Sequence, residues 1–279
     1  MKKVREKKTR RWIIPLSILG ILLFFYFLQT VWVHREKDFT PDYPKEVLTD
    51  NTDYETFFKQ TGLGKQAVEK LLSEKRVVDI QKVQDAFFSR DHVECKSIFG
   101  YFTMSDRVDA KDSAPLIDLQ PGDILLSLST HSIGWRHGHA GLVLDENAVL
   151  ECTTLGKDSC IVKPKHWRKY SNYAVLRVKG LTEEQGLKVA EYARENLCNV
   201  PYRITAGFLG DKAPDLKSSF FGLQCAYLVW YAWQQFGYDL DSDGGRLVTA
   251  YDILYSEHLE VVQIYGMNPF SFTIENDVL

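Results

Sequence analysis

Residues 121–152, PGDILLSLSTHSIGWRHGHAGLVLDENAVLEC, constrain the fold of this chain more than any other stretch. The turn Gln120-Pro121-Gly122-Asp123 leads into an apolar strand at 124–128. Two further strands, 139–144 and 148–153, are split by the polar Asp145-Glu146-Asn147. Side chains alternate across a strand, so pairing register decides which residues share a face. A three-residue loop at 145–147 pairs Leu144 with Ala148, Gly141 with Glu151 and His139 with Thr153. His139 and Glu151 then become diagonal neighbours on one face, within reach of long side chains. A carboxylate there fixes the imidazole tautomer and stabilises the imidazolium. A two-residue turn slips the register by one and sends Glu151 to the opposite face. Gly141, opposite Glu151, leaves room for the interaction.

Beyond this hairpin, 173–179 alternates as a strand, with Val175 and Arg177 against Ala174, Leu176 and Val178. Thr182 and Gln185 form a capping box that opens a helix through Leu187, Ala190, Ala193 and Leu197. Residues 199–220 read as a loop with two prolines. Residues 225–236 are apolar nearly all round and stop at Gly237, as in a buried helix. Residues 259–265 are the last strand.

The N-terminus has a different texture. Residues 1–12 carry seven Lys or Arg against one Glu, and 13–33 contain 21 residues without a charge. About 20 apolar residues in a helix cross a bilayer core. With no small-residue cleavage site in view, 13–33 is expected to be an uncleaved transmembrane anchor. The basic residues 1–12 would stay in the cytoplasm as a tail, leaving the rest extracytoplasmic. Without residues 1–12 the chain has 27 basic against 36 acidic residues, a net −9. That balance argues against a nucleic-acid partner.

Residues 34–49 hold Pro41 and Pro44 and read as a spacer. A small helical extension is expected over 50–117, with a capping box at Thr52-Asp53-Tyr54-Glu55 and apolar faces through Phe57 to Leu72 and Ile80 to Phe88. It serves either for recognition or as a cover packed on the main domain. Gly62-Leu63-Gly64-Lys65 lacks the spacing and hydroxyl of a phosphate-binding loop.

Five cysteines occur: Cys95, Cys152, Cys160, Cys198 and Cys225. The odd number leaves at least one thiol unpaired within the chain. Cys225 follows Phe221-Gly222-Leu223-Gln224 and begins the apolar helix. A helix N-terminus and a nearby imidazolium both favour the reactive thiolate. Backbone N–H groups at the same helix start can hold an oxyanion. Taken alone, a buried unreactive cysteine fits the same residues.

The motifs GDILL, HAGLVL, VLEC and QCAYLVWYAW, in that order, resemble the circularly permuted NlpC-type cysteine peptidases, the YiiX-like group among them. The resemblance covers roughly residues 118–265. It implies an α+β, papain-like catalytic domain at 118–279, with the histidine and acid ahead of the cysteine. It further implies Cys225 as nucleophile, His139 as base and Glu151 as third polar member. Asn199-Val200-Pro201-Tyr202 is similar to the family's Gly-x-Pro-Tyr segment, which implies Tyr202 near the site. Val248-Thr249-Ala250-Tyr251-Asp252 resembles the segment after the cysteine helix. Ordinary members have Asp-Cys-Ser where this chain has Gln224-Cys225-Ala226, which leaves substrate detail open. Gln224 and His137 are expected to face substrate.

His131, His166 and His258 sit in polar sequence and read as surface residues. Cys152, next to Glu151, points away from the site under the three-residue register. Asp239, Asp241 and Asp243 imitate the start of a calcium loop, but Ala250 stands where a bidentate Glu is required. No zinc spacing occurs, and neither metal nor cofactor is expected. The expected function is a membrane-anchored, extracytoplasmic cysteine hydrolase cleaving amide bonds in cell-wall (peptidoglycan) peptides. One alternative is an acyl or thioester hydrolase or acyltransferase, as in the related lecithin:retinol acyltransferase-like proteins. The other is an inactive module that binds wall peptides.

Overall fold

Apolar residues alternating along six strands build the main sheet, and both of its faces are covered. The computed structural model describes residues 2–33, 38–89, 94–99, 103–132, 135–219 and 221–272, with the side chains of 2–11, 28–33 and 94–99 outside the description. Cys95 is among those side chains.

In chain order the helices are α1 (Lys2–Val33), α2 (Tyr54–Thr61), α3 (Lys65–Ser73), α4 (Val77–Phe88), α5 (Glu183–Asn196), α6 (Cys225–Gln234) and α7 (Ala250–Leu254). The strands are β1 (Glu94–Phe99), β2 (Thr103–Arg107), β3 (Ile124–Ser127), β4 (Thr130–Ser132), β5 (Trp135–Arg136), β6 (His139–Asp145), β7 (Ala148–Glu151), β8 (Cys160–Val162), β9 (Tyr173–Val178) and β10 (Leu259–Tyr265). The main sheet runs β10-β9-β3-β6-β7-β8 and a smaller one runs β1-β2-β4-β5. Every pairing between these strands is antiparallel, so the class is α+β with antiparallel sheets.

The two faces of the main sheet feed separate cores. Ala140, Leu142, Leu144, Leu150, Ala174 and Leu176 pack with α5 and α6. Val143, Val149, Tyr173 and Val175 pack with α2 to α4 through Phe57, Val68, Leu71 and Val83, and with Trp167 and Tyr170. The helices of 54–88 therefore cover the second face of the sheet. The rest of the expected helical extension includes the strands β1 and β2. From Asp38 onward the segment read as a spacer is fastened to the body: Phe39 N–H donates to Gly266 O at 3.1 Å and Gln60 to Pro44 O at 3.1 Å.

Gly62 and Gly64 have a structural role. Gly64 N–H donates to Val262 O at 2.9 Å and Ile264 N–H to Gly62 O at 2.7 Å, laying 62–64 along the β10 edge. A Cβ at Gly64 would lie 1.8 Å from Val261 O, and one at Gly62 2.2 Å from Ile264 O. Only glycine permits that approach.

Among the described residues, no helix is long and apolar enough to cross a membrane. The transmembrane anchor expected at 13–33 is corrected accordingly. The single-pass placement built on it, with a cytoplasmic N-terminus and an extracytoplasmic domain, is corrected with it.

A buried ion cluster joins α3 to the sheet. Arg177 of β9 donates to both Asp123 oxygens at 2.8 Å, to Asp118 O at 2.9 Å and to Gln66 Oε1 at 3.0 Å. Arg177 is 5% exposed and Asp123 is fully buried. Burial pushes the Asp123 carboxyl up to about 6 even against this guanidinium. Removing one partner of a buried pair costs about 3–5 kcal/mol. Arg177→Met is expected to lower unfolding stability by about that much in urea titration; a loss below about 1 kcal/mol would contradict the assignment.

Candidate active site

The hairpin β6–β7 sets the geometry. Its turn is two residues long, with Asp145 opposite Ala148, and not the expected three. Asn147 N–H closes it on Asp145 Oδ1 at 2.8 Å. A two-residue turn alone would turn Glu151 away. A bulge between Val143 and Asp145 supplies the extra residue, so Leu142 faces Leu150 and Val143 faces Val149. The register toward the site is therefore the one a three-residue loop would give. His139 Nε2 lies 2.7 Å from Glu151 Oε2, and the two residues are 5% and 2% exposed.

The carboxylate can only accept, so Nε2 carries the hydrogen and donates. Glu151 engages only Nε2, and Cys225 lies close enough to the ring for each to shift the other's pKa. Cys225 opens α6, which packs on the other face of the sheet from Trp167 and Tyr170. His139 stands at the start of β6, at the sheet margin, where side chains from both layers can meet.

Gln224 is the N-cap of α6. Its Oε1 accepts from Ala226 N–H at 3.1 Å and lies 3.5 Å from the Cys225 sulfur, and its Nε2 donates to Val248 O at 2.6 Å. The residue expected to face substrate thus fixes the start of the cysteine helix to the segment before α7.

Electrostatics separate the cysteines. Burial alone would push the Cys225 thiol up. The hydrogen bond and charge of His139 and the N–H groups of Ala140 and Ala226 overcome it and hold the thiol below its ordinary range. Cys152 lies in the core with its thiol 3.5 Å from Leu223 O, and burial pushes it up to about 12. Burial also works against a charged His139, yet Tyr170, Cys225 and Glu151 raise it well above the usual imidazole range. Burial would raise Glu151, but His139 and His166 bring it down to about 2. The arrangement favours a thiolate–imidazolium pair anchored on an ionised carboxylate.

Three residues that sequence reasoning left out belong to this cluster. His166 Nε2 is 3.1 Å from Glu151 Oε1, so it is not the plain surface histidine expected. Trp167 stacks on the His139 ring with centroids 5.1 Å apart and 10° between planes. Tyr170 lies 6.1 Å from His139, with the Arg107 guanidinium 4.2 Å from its own ring centre. His166 and Trp167 lie on the 3-10 turn Pro164–Lys169, and Tyr170 caps it. The signal available was Gly141: a Cβ there would meet Val149 at 2.8 Å and Trp167 at 3.0 Å. Glycine at 141 makes room for the indole.

Tyr202 is half-buried, and its phenol is raised by burial and by the nearby Cys225 and Cys152. His137 donates from Nδ1 to Gly138 O at 2.8 Å and accepts from Ser132 Oγ at 2.9 Å. Burial lowers its pKa, which suits that neutral tautomer. His131, expected at the surface, is fully buried at 3.5 Å from Asp106.

Among the described residues, one group has ligand atoms all within 4.8 Å of one another: Asp241, Asp243 and Asp252. Asp241 is paired with Lys212, and Asp252 closes the capping box of α7 through Thr249. Cys225, His139, Glu151 and His166 do not form such a group.

A carboxylate that supports imidazolium should govern thiol reactivity. Iodoacetamide is expected to alkylate Cys225 well below pH 8.5, where an ordinary thiol ionises, and to leave folded Cys152 unmodified. Glu151→Gln removes a negative charge from His139, lowers its pKa and raises that of Cys225. Alkylation near neutrality should fall about tenfold, one unit of thiol pKa. Equal rates in the two proteins would contradict the geometry.

No family model matches the chain, and no curated protein sequence matches it. A solved structure does: the crystal structure of the metalloprotein YiiX from Escherichia coli O157:H7, at 19% identity and a TM-score of 0.40. The match covers 51% of this chain and 96% of that one. That protein belongs to the YiiX-like group named from the motifs. A likeness of this degree transfers no residue's role.

Proposed function

We propose that the chain is a cysteine hydrolase, with Cys225 as nucleophile, His139 as base and acid, and Glu151 as the group that orients and charges His139. The observation that carries this reading is the buried 2.7 Å His139–Glu151 contact at a ring whose neighbourhood lowers the Cys225 thiol. A purely structural cysteine has no need of a neighbour that ionises it.

The proposed cycle balances in two steps. The Cys225 sulfur attacks an acyl carbonyl carbon, and the imidazolium gives its proton to the departing nitrogen as the carbon–nitrogen bond breaks. His139 then takes a proton from water, whose oxygen attacks the thioester. The carboxylic acid leaves as the thiolate–imidazolium pair returns. The backbone N–H of Cys225, in the first turn of α6, is the proposed oxyanion donor.

Amide bonds of peptides, cell-wall peptides included, are the first substrate class. The compartment argument for the cell wall falls with the anchor, so that choice rests on the motif resemblance alone. A second reading, acyl-chain esters or thioesters, is favoured by the loop between Tyr202 and Cys225. There Ile204, Phe208 and Leu209 are 63%, 54% and 51% exposed.

Purified protein and Cys225→Ala are to be compared on peptidoglycan-derived peptides and on acyl thioesters. Loss of at least about 10³-fold in turnover with Cys225→Ala is expected on one class. No turnover of either class by wild type, or equal turnover by both proteins, would sink the proposal. Turnover of thioesters alone would select the second reading.

A further inference from the structure

We propose that Trp167 is a positioning residue of this site: its indole face lies against the His139 ring and stabilises that ring as a cation. This rests on reading Cys225 and His139 as the reacting pair.

His139 and Trp167 are stacked, with ring centroids 5.1 Å apart and 10° between planes. The face of an aromatic ring carries negative charge, and a cation within about 6 Å of its centre is attracted to it. Among side chains the indole face attracts most strongly, and the attraction grows where water is excluded. Water is excluded here: Trp167 is fully buried and His139 is 5% exposed.

The fold fixes the indole in that place. Pro164 starts the 3-10 turn that carries it, and Tyr170, which caps the turn, packs on it with ring centroids 5.2 Å apart. Gly141 lies two residues after His139, on the same face of β6. A Cβ there would lie 3.0 Å from the indole. Trp167 Nε1 has no hydrogen-bond partner among the described residues, so packing of the ring holds it against His139.

The titratable and charged groups facing His139 are Glu151 on β7, Cys225 on α6, Tyr170 after the turn and His137 ahead of β6. Behind them, His166 lies beside Glu151, and Arg107 of β2 lies over the Tyr170 ring. Glu151 meets His139 at the ring edge, through Nε2, whereas Trp167 covers a ring face. The two supports are therefore separable by experiment.

The sign follows from the ion pair. A group that stabilises the imidazolium favours the thiolate beside it. Weakening the indole face lowers the His139 pKa and raises that of Cys225, the same direction as Glu151→Gln. The acidic limb of Cys225 reactivity then moves to higher pH. A merely structural indole would respond to its shape and leave the limb indifferent to its electron density.

The experiment is the pH profile of Cys225 alkylation by iodoacetamide in the full chain, with thermal unfolding alongside. Tryptophan is replaced biosynthetically by singly and then multiply fluorinated tryptophan, which draws electron density off the ring face with little change of shape. The acidic limb is expected to rise with added fluorine, reaching about half a pH unit, or about a threefold loss of rate near neutrality. The same labelling of Trp167→Phe, where only the other tryptophans carry fluorine, should leave the limb in place. An unmoved limb through the fluorinated series, or an equal shift in labelled Trp167→Phe, would overturn the proposal. If a labelled protein does not fold, unlabelled Trp167→Phe and Trp167→Leu decide: the limb should lie lower in Phe, which keeps an aromatic face, and equal limbs would overturn the proposal. Wild-type Cys225 reacting no faster than a thiol in the unfolded chain would instead overturn the hydrolase reading itself.

Discussion

A carboxylate buried between two imidazoles is the interaction on which the rest of this site depends. An ionised Glu at 2% exposure is tolerated only when paired and hydrogen-bonded. Both oxygens of Glu151 are served by histidines, and the carboxyl is brought down to about 2 as a result. The fixed negative charge then supports His139 as imidazolium, which in turn favours the Cys225 thiolate. Each step needs the one before it. Cys152 shows the contrast: fully buried and without an imidazole partner, its thiol is pushed up to about 12.

The fold makes that convergence through layering. The sheet carries His139 and Glu151 on the face shared with Trp167 and Tyr170, while α6 brings Cys225 from the opposite layer. Only a residue at the end of a strand can be reached from both sides, and His139 is the first residue of β6. The bulge at 143–145 keeps Glu151 on that face despite a two-residue turn. Gln224, capping α6 and bonded to Val248, fixes where the sulfur sits. Covering helices on the far face, α2 to α4, are joined to the same sheet through Arg177 and through the 62–64 edge pairing.

What the sequence made legible was what periodicity and local chemistry determine. The strands at 139–145, 148–151, 173–178 and 259–265, the capping box at Thr182 and the apolar helix after Cys225 all follow from alternation, capping and composition. The His139–Glu151 face was legible too, but its turn was not: a bulge adds one residue to a strand without any residue type that announces it. His166, Trp167 and Tyr170 were missed because their role comes from a turn packed against a glycine 25 residues upstream of His166. That contact is tertiary, and polar neighbours in the sequence made His166 look solvated. The uncharged run at 13–33 misled in the other direction, since absence of charge was read as a full span.

The central claim is that Cys225 and His139 rest as an ion pair held by Glu151. The most direct measurement is thiolate absorbance in the ultraviolet across pH, taken as the difference between wild type and Cys225→Ala. The account predicts a thiolate signal already present at neutral pH, at least about one unit below an ordinary thiol near 8.5, and displaced to higher pH in Glu151→Gln. A difference signal that rises only at or above that ordinary value, and that Glu151→Gln leaves in place, would contradict it.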